Sequence, residues 1–196
     1  GEIDLNAFQH KAYLANDIKD NGYKIEAIGD TIIAPLGVYS KKITDLSELK
    51  DGDTIAIPSD ATNGGRALKV LESAGVIKVN PDAGYTPTLN DITENPNNIK
   101  FTEVEAANTP SLLPDVAAAV INGGHAVDNG LNPENDSIFL EKVQEGTDNP
   151  YVNVIVARSE DKDNENYKKI VKAYQSDDVK KVIEDVYKGA YLPAWK

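Results

Sequence analysis

Arg66 is the residue whose type and position most clearly suggest chemistry. The apolar run 54–57 is typical of a short strand, residues 58–60 interrupt it, and a helical pattern then opens at residues 62–65, Thr-Asn-Gly-Gly. Two glycines at a helix start let the backbone approach a ligand, and free N–H groups there favour an anion. A guanidinium one step further adds a forked donor pair that suits a carboxylate. The pattern therefore predicts a carboxylate site, against the alternative of a solvated arginine after a turn.

Three further polar residues lie at or inside predicted strands. His10 follows an alternating run at residues 3–7, Asn122 follows the buried run 116–121, and Asn153 interrupts a β-branched strand, where an asparagine needs a hydrogen-bonding reason. His10 could instead cap a helix, and Asn122 could make a simple Asx turn. Because ligands bind beyond the carboxyl ends of strands in α/β sheets, His10, Asn122 and the Gly64 turn, which fall at such ends, are expected to share one cleft.

Composition excludes several classes of function. The net charge of −12 argues against a nucleic-acid partner, and no apolar run approaches the roughly 20 residues that span a bilayer. The 196 residues contain no cysteine, and the two histidines belong to no ligand-spaced cluster, so neither a metal site nor a cofactor is predicted. No Gly-x-Ser-x-Gly elbow or phosphate-loop lysine is present, and we therefore predict no catalytic residue and no enzyme.

Strand and helix patterns alternate along the chain, which predicts an α/β fold with largely parallel sheets. The expected elements are a first strand at 3–7, a helix ending before Asn21-Gly22, two strands within 23–40, a helix from Gly64 to Gly75, strands at 116–121 and 151–158, and closing helices at 164–175 and 177–188.

Five blocks spread over nearly the whole chain resemble, in order, the motifs of the NlpA-type lipoproteins, the methionine-binding proteins of ABC importers. They are N-x-F-Q-H-x-x-Y-L at 6–14, P-x-G-x-Y-S-x-K at 35–42, I-A-I-P with N-x-G-R-A-L at 55–68, an I-N block ending in G-L-x-P at 119–133, and Y-x-N-x-I-V at 151–156. Each block alone is weak, but the ordered set is specific. His125 departs from the tyrosine usual after the Ile-Asn pair.

The resemblance implies an α/β, two-lobed periplasmic-binding-protein (type II) fold that closes on an amino acid. Lobe one would hold residues 1–43 and 152–196, and lobe two would hold residues 44–151. The resemblance further implies that the family's amino-terminal strand–helix–strand unit, and a lipid-modified cysteine before it, precede Gly1. A second copy could complete the sheet of a lobe one without that unit, so a swapped dimer is an expectation.

The same resemblance assigns the site. Arg66 would bind the ligand carboxylate, and Asn122 and Asn153 would hold the backbone polar groups of the amino acid. Phe8, His10 and Tyr13 would surround the methionine side chain, where sulfur–aromatic contacts contribute about 0.3–1.5 kcal/mol each. Phe8 and Tyr13 could equally be plain core residues. Further candidates from the matched motifs are Tyr39 and Asn63.

The implied function is capture of L- or D-methionine and its delivery to an ABC permease, by a protein anchored outside the cytoplasm through a lipidated cysteine that this sequence does not contain. Three alternatives remain open at this point: a methionine-containing dipeptide as ligand, another apolar amino acid, or a surface antigen or adhesin with a vestigial cleft.

Overall fold

The computed structural model describes residues 2–143, 149–187 and 189–195. Its strands are β1 (Leu5–Asn6), β2 (Ile25–Asp30), β3 (Ile32–Ile33), β4 (Gly37–Tyr39), β5 (Thr54–Pro58), β6 (Lys78–Val79), β7 (Ile92–Glu94), β8 (Lys100–Val104), β9 (Ala118–Ile121), β10 (Ser137–Leu140), β11 (Val154–Arg158) and β12 (Leu192–Pro193). Its α-helices are α1 (Lys11–Asn21), α2 (Ala61–Ser73), α3 (Gly123–Asp128), α4 (Pro133–Asp136), α5 (Glu165–Tyr174) and α6 (Asp177–Tyr187). The predicted end of the last helix, Lys188, lies outside the described residues.

The chain divides into two compact units. The first unit is Gly1–Ala34 with Val143–Lys196, and the second unit is Pro35–Lys142. The sequence placed these boundaries about nine residues later, after residues 43 and 151. The difference arises because β4 pairs with β9 on one side and β10 on the other, so its backbone hydrogen bonds belong to the sheet of the second unit.

A five-stranded sheet forms the centre of the second unit, in the order β10-β4-β9-β5-β8. Strand β5 runs parallel to both β8 and β9, because α2 and later segments carry the chain back across the sheet between them. The remaining pairings, of β4 with β9 and with β10, are antiparallel. The prediction of largely parallel sheets was therefore wrong: alternation of helices and strands does not fix the direction in which strands pair.

Helix α2 packs its apolar side on this sheet. Leu68 and Leu71 join Ile55, Ile57 and Val120 in one buried cluster, all at 1% exposure or less. The spacing of three residues places both leucines on one helix face, and the alternation of the isoleucines points both to one side of β5. The helix ends as predicted before Gly75, whose φ of +77° suits glycine.

The first unit contains a three-stranded antiparallel sheet in the order β1-β11-β2. On it, α1 buries Leu14 against Val154 and Val156. The predicted turn at Asn21-Gly22 is confirmed, since Gly22 ends α1 with a φ of +69°. The segment 23–40 contains three strands rather than the predicted two. Among the helices that the structure describes, none combines the length and apolar character that crossing a bilayer requires.

Candidate functional site

Asp60 is the N-cap residue of helix α2, whose first residue, Ala61, lies three residues before the start at Gly64 that the sequence predicted. Its carboxylate accepts hydrogen bonds from the Asn63 backbone N–H at 2.9 Å and from the Thr62 hydroxyl at 2.9 Å, which satisfies a donor that a helix start leaves open. Gly64 and Gly65 consequently lie inside the helix. They serve packing rather than ligand approach, because a Cβ at Gly65 would lie 2.7 Å from the Cα atom of Thr86.

Arg66 lies in the second turn of α2 and is buried, at 3% exposure. Its Nε donates to Oε1 of Glu141 at 2.9 Å and its Nη2 donates to Oε2 at 2.6 Å, a two-point pairing of guanidinium with carboxylate. Oε2 also accepts from the backbone N–H of Leu36 at 2.9 Å. The reading of Arg66 as a solvated residue is therefore wrong: the side chain is buried and is held in one orientation by Glu141.

Asn63 and Asn122 meet across two neighbouring strands. Asn63 belongs to the first turn of the helix that follows β5, and Asn122 is the N-cap residue of α3, which follows β9 directly. Because β5 and β9 are adjacent and parallel, their carboxyl ends lie at the same sheet edge and the two helices start side by side. Asn122 Nδ2 donates to Asn63 Oδ1 at 2.8 Å.

The other amide atom of Asn122 is unusual. Within the described part of the chain, its Oδ1 is buried and has no hydrogen-bond partner. A buried acceptor in this state is costly unless another group donates to it. Asn63 and Arg66 are three residues apart on α2 and so share one helix face. This corner of the second unit thus combines a buried guanidinium, paired with Glu141, with a buried acceptor that has no partner among the described residues.

Tyr39, a further candidate from the sequence, lies in the core. It is 1% exposed on β4, and its ring covers Gly37, where a Cβ would lie 2.6 Å from the ring. Burial, together with the negative charge of Asp136, raises the pKa of the Tyr39 hydroxyl well above its ordinary value, so the group is protonated at neutral pH.

His10 caps helix α1 in the first unit. Its Nδ1 accepts the Tyr13 backbone N–H at 3.0 Å, so Nδ1 carries no proton and the hydrogen of the neutral ring is on Nε2. The alternative reading of His10 as a helix cap is thus correct. The ring packs edge-on against Tyr13 and Tyr151, with centroids 6.2 Å and 5.4 Å away.

Phe8 extends this aromatic group. Its ring centroid is 6.3 Å from that of Tyr13, and the side chain is 73% exposed, so Phe8 is not a core residue. Asn153 is joined to the same place by the backbone, through an antiparallel bridge with His10. Its own N–H donates to Ile32 and its carbonyl accepts from Thr31, both at 2.8 Å, and these bonds hold it in an extended conformation.

The structure thus brings the predicted residues together in two groups. In the second unit these are Asn63, Arg66 and Asn122, and in the first unit Phe8, His10, Tyr13 and Asn153.

Sequence reasoning missed four residues that adjoin these groups: Asp60, Glu141, Tyr151 and Gln9. Asp60 carries a recognisable signal, an acidic residue directly before a helical pattern. Glu141 carries none, since it lies 75 residues from the arginine that it binds. Gln9 is 5% exposed and, within the described residues, both of its amide atoms lack partners. Across the described ranges, no group of three or more metal-ligating side chains is assembled.

The chain is similar in sequence and in fold to proteins that are already known. The chain is 49% identical over 197 aligned residues to the D-methionine-binding lipoprotein MetQ of Salmonella typhimurium, covering 100% of this chain and 71% of the relative. A nutrient-binding protein from Burkholderia cenocepacia, solved bound to methionine, has a TM-score of 0.94 at 44% identity, over 100% of this chain and 80% of that one. The substrate-binding protein of a methionine transporter from Streptococcus pneumoniae has a TM-score of 0.92 at 39% identity, over 100% and 77%.

These similarities confirm the predicted mixed α/β fold of periplasmic binding proteins. The relatives are binding proteins and not enzymes. The family model described as NlpA lipoprotein matches residues 1–195. The chain therefore belongs to the NlpA lipoprotein family.

Proposed function

We propose that this protein is the methionine-binding component of an ABC importer. The observation that carries the proposal is the buried, firmly held Arg66 beside the unsatisfied acceptor of Asn122. A free amino acid offers one carboxylate and one ammonium, and this pair of groups is complementary to both. The relatives that bind methionine by name share this fold over the full length of the chain.

Arg66 is assigned to the ligand carboxylate. Its guanidinium carries five N–H donors, of which two are directed at Glu141, and the pairing fixes the plane in which the others lie. Asn122 is assigned to the ligand ammonium through Oδ1. Asn153, kept extended by its two backbone hydrogen bonds, is assigned to the remaining polar groups of the amino acid.

Phe8, His10 and Tyr13 are assigned to the methionine side chain. Two features support this: the exposed Phe8 ring and the edge-on packing of the Phe8 and His10 rings against Tyr13. Polarisable sulfur makes favourable contacts with ring edges, each contributing about 0.3–1.5 kcal/mol. Tyr39 is not assigned, because it is enclosed in the core of the second unit.

Titration calorimetry with L-methionine, D-methionine and a glycyl-methionine dipeptide tests the proposal and ranks the ligands. Arg66→Lys keeps the charge but loses the fork, and Arg66→Ala removes both. We expect Arg66→Ala to weaken binding by about 2–5 kcal/mol, a loss of roughly 30-fold to several thousand-fold. Arg158→Lys is the matched control, since Arg158 pairs with Asp4 and Asp161 and with no residue of either group in these ion pairs. Absence of heat with all three ligands would refute the proposal.

The family and the named relatives also give the partner and the location. The lipoproteins of such importers act outside the cytoplasm at the membrane, where they deliver the ligand to a permease. We further propose that a lipid on a cysteine outside these 196 residues supplies the anchor, since the family is one of lipoproteins. The swapped dimer stays a prediction. Light scattering after gel filtration tests it, and a monomer mass at all concentrations would contradict it.

A further inference from the structure

Asp60 fixes the orientation of the Asn63 amide. Besides capping α2, its carboxylate lies against Asn63 Nδ2, which is 3.1 Å from Oδ1 and 3.0 Å from Oδ2. A carboxylate has acceptors only, so the amide must turn its NH₂ towards Asp60. The Oδ1 of Asn63 then points the other way. The two side chains are short and both belong to the start of α2, with Asn63 at 7% exposure, so little freedom remains.

Asn63 in turn fixes the orientation of Asn122. An amide oxygen can only accept, and Asn63 Oδ1 accepts from Asn122 Nδ2 at 2.8 Å. The Nδ2 of Asn122 is therefore committed to Asn63, and its Oδ1 is turned away. That oxygen is the buried atom that lacks a partner among the described residues. Three side chains thus form a directed series of hydrogen bonds that ends in an acceptor.

We propose that Asp60, acting through Asn63, sets the polarity of Asn122, so that this position of the site selects ligands with a positively charged N–H donor. The inference rests on the proposed function and adds two positioning residues to it. An isolated asparagine can present either amide atom to a ligand. Here the carboxylate at the far end of the series removes that choice. A ligand with an ammonium satisfies the buried oxygen, whereas one without it leaves the oxygen unpaired.

The test compares L-methionine with 4-(methylsulfanyl)butanoate, which is methionine without the amino group. The measured quantity is the ratio of the two dissociation constants by calorimetry. In the wild-type protein we expect methionine to bind about 10- to 100-fold more tightly, as a hydrogen bond to a charged group implies. Asn122→Ala removes the acceptor and should reduce this preference to about 3-fold or less.

Asp60→Asn changes the group that orients the Asn63 amide while it keeps a capping residue at the start of α2. Asparagine caps helices about as well as aspartate, so α2 keeps its start, but an asparagine can face Asn63 with either amide atom. We expect the preference for methionine to fall towards the Asn122→Ala value, with binding of the desamino analogue unchanged. A purely structural role would weaken both ligands equally and leave the ratio unchanged. Asp45→Asn is the same exchange at the exposed N-cap of the 3-10 helix Leu46–Glu48. It should change neither the preference for methionine nor the binding of the desamino analogue.

Asn63→Ala tests whether Asp60 acts on Asn122 through the hydrogen bonds of Asn63, which we call the relay, or by direct electrostatic attraction of the ligand ammonium. This variant keeps the charge of Asp60 but breaks the series, so the preference should fall as it does in Asp60→Asn. If Asp60→Asn lowers the ratio and Asn63→Ala does not, the carboxylate acts through space and the relay is overturned. An unchanged ratio in both variants overturns the relay but leaves the receptor assignment intact. A wild-type protein that binds no methionine overturns both. Should Asp60→Asn fail to fold, the other two variants decide.

Discussion

The pairing of Arg66 with Glu141 is the interaction whose loss should be easiest to measure. In Glu141→Gln, one end of the new amide must direct an NH₂ group at Arg66. If the NH₂ group takes the place of Oε2, it faces two donors, Nη2 of Arg66 and the backbone N–H of Leu36. If it takes the place of Oε1, it faces the Nε–H donor of Arg66. Neither orientation restores the pair, so the variant leaves a buried guanidinium without this counter-charge.

Removing one partner of a buried pair costs about 3–5 kcal/mol. The side chains of Arg66 and Glu141 are 3% and 15% exposed, so solvent screens little of this. Since glutamine keeps one acceptor, we expect the lower end, about 3 kcal/mol, which for a chain of this size lowers the melting temperature by roughly 6–12 °C. Methionine should restore part of the loss, because its carboxylate supplies a new counter-charge to Arg66.

Differential scanning fluorimetry with and without saturating methionine measures both effects. Glu94→Gln is the control: its ion pair with Lys78 is equally short at 2.7 Å, but the two side chains are 58% and 64% exposed. Exposed pairs contribute about 0–1 kcal/mol, so the control should melt close to the wild type. If Glu141→Gln also melted within about 2 °C of the wild type, the claim that this carboxylate holds the arginine would be false.

Three further outcomes are expected. His10→Ala should destabilise the first unit by about 1 kcal/mol in urea denaturation, whereas His10→Asn should not, because asparagine can still accept the Tyr13 N–H. Gly65→Ala should cost about 1–3 kcal/mol by the same measurement, since its methyl group would lie 2.7 Å from the Thr86 Cα atom. Hydrogen bonds from Thr44, first from its hydroxyl and then from its backbone N–H, lower the pKa of Glu48 in the folded protein. The ionised Glu48 therefore stabilises the fold at pH values above its unfolded-state pKa, and this stability is lost as the pH falls through its folded-state pKa. Glu48→Gln removes this contribution, so the urea midpoint of the variant should fall less steeply with decreasing pH than that of the wild type.

Local sequence rules found the ends of the helices but not the pairing of the strands. Gly22 and Gly75 both end helices with positive φ, as glycine after an apolar pattern predicts. The direction of strand pairing depends on where the chain crosses between strands, and no local pattern records that. The segment 35–43 shows the consequence: it reads as a continuation of the preceding strands, yet β4 pairs within the other unit.

The same distinction explains which site residues could be predicted. Asn122 follows a strand pattern directly and Arg66 lies in the helix that follows another, so their place near a sheet edge can be read from the chain. Glu141 could not be found, because its role depends on a contact 75 residues away. Asp60 could have been found from the capping signal, but the glycines suggested a later helix start.

The location of the polar group follows from the parallel part of the sheet of the second unit. The pairs of β10 with β4 and of β4 with β9 are antiparallel, and adjacent antiparallel strands end at opposite edges. Strands β5 and β9 run parallel, so these two neighbouring strands each lead into an α-helix at the same edge. Two helix starts side by side bring a capping carboxylate, two amides and a guanidinium together on backbone that is already fixed. The site therefore depends less on any single motif than on this parallel pair, and a change that shifts β9 relative to β5 should impair binding while Arg66 and its pairing remain intact.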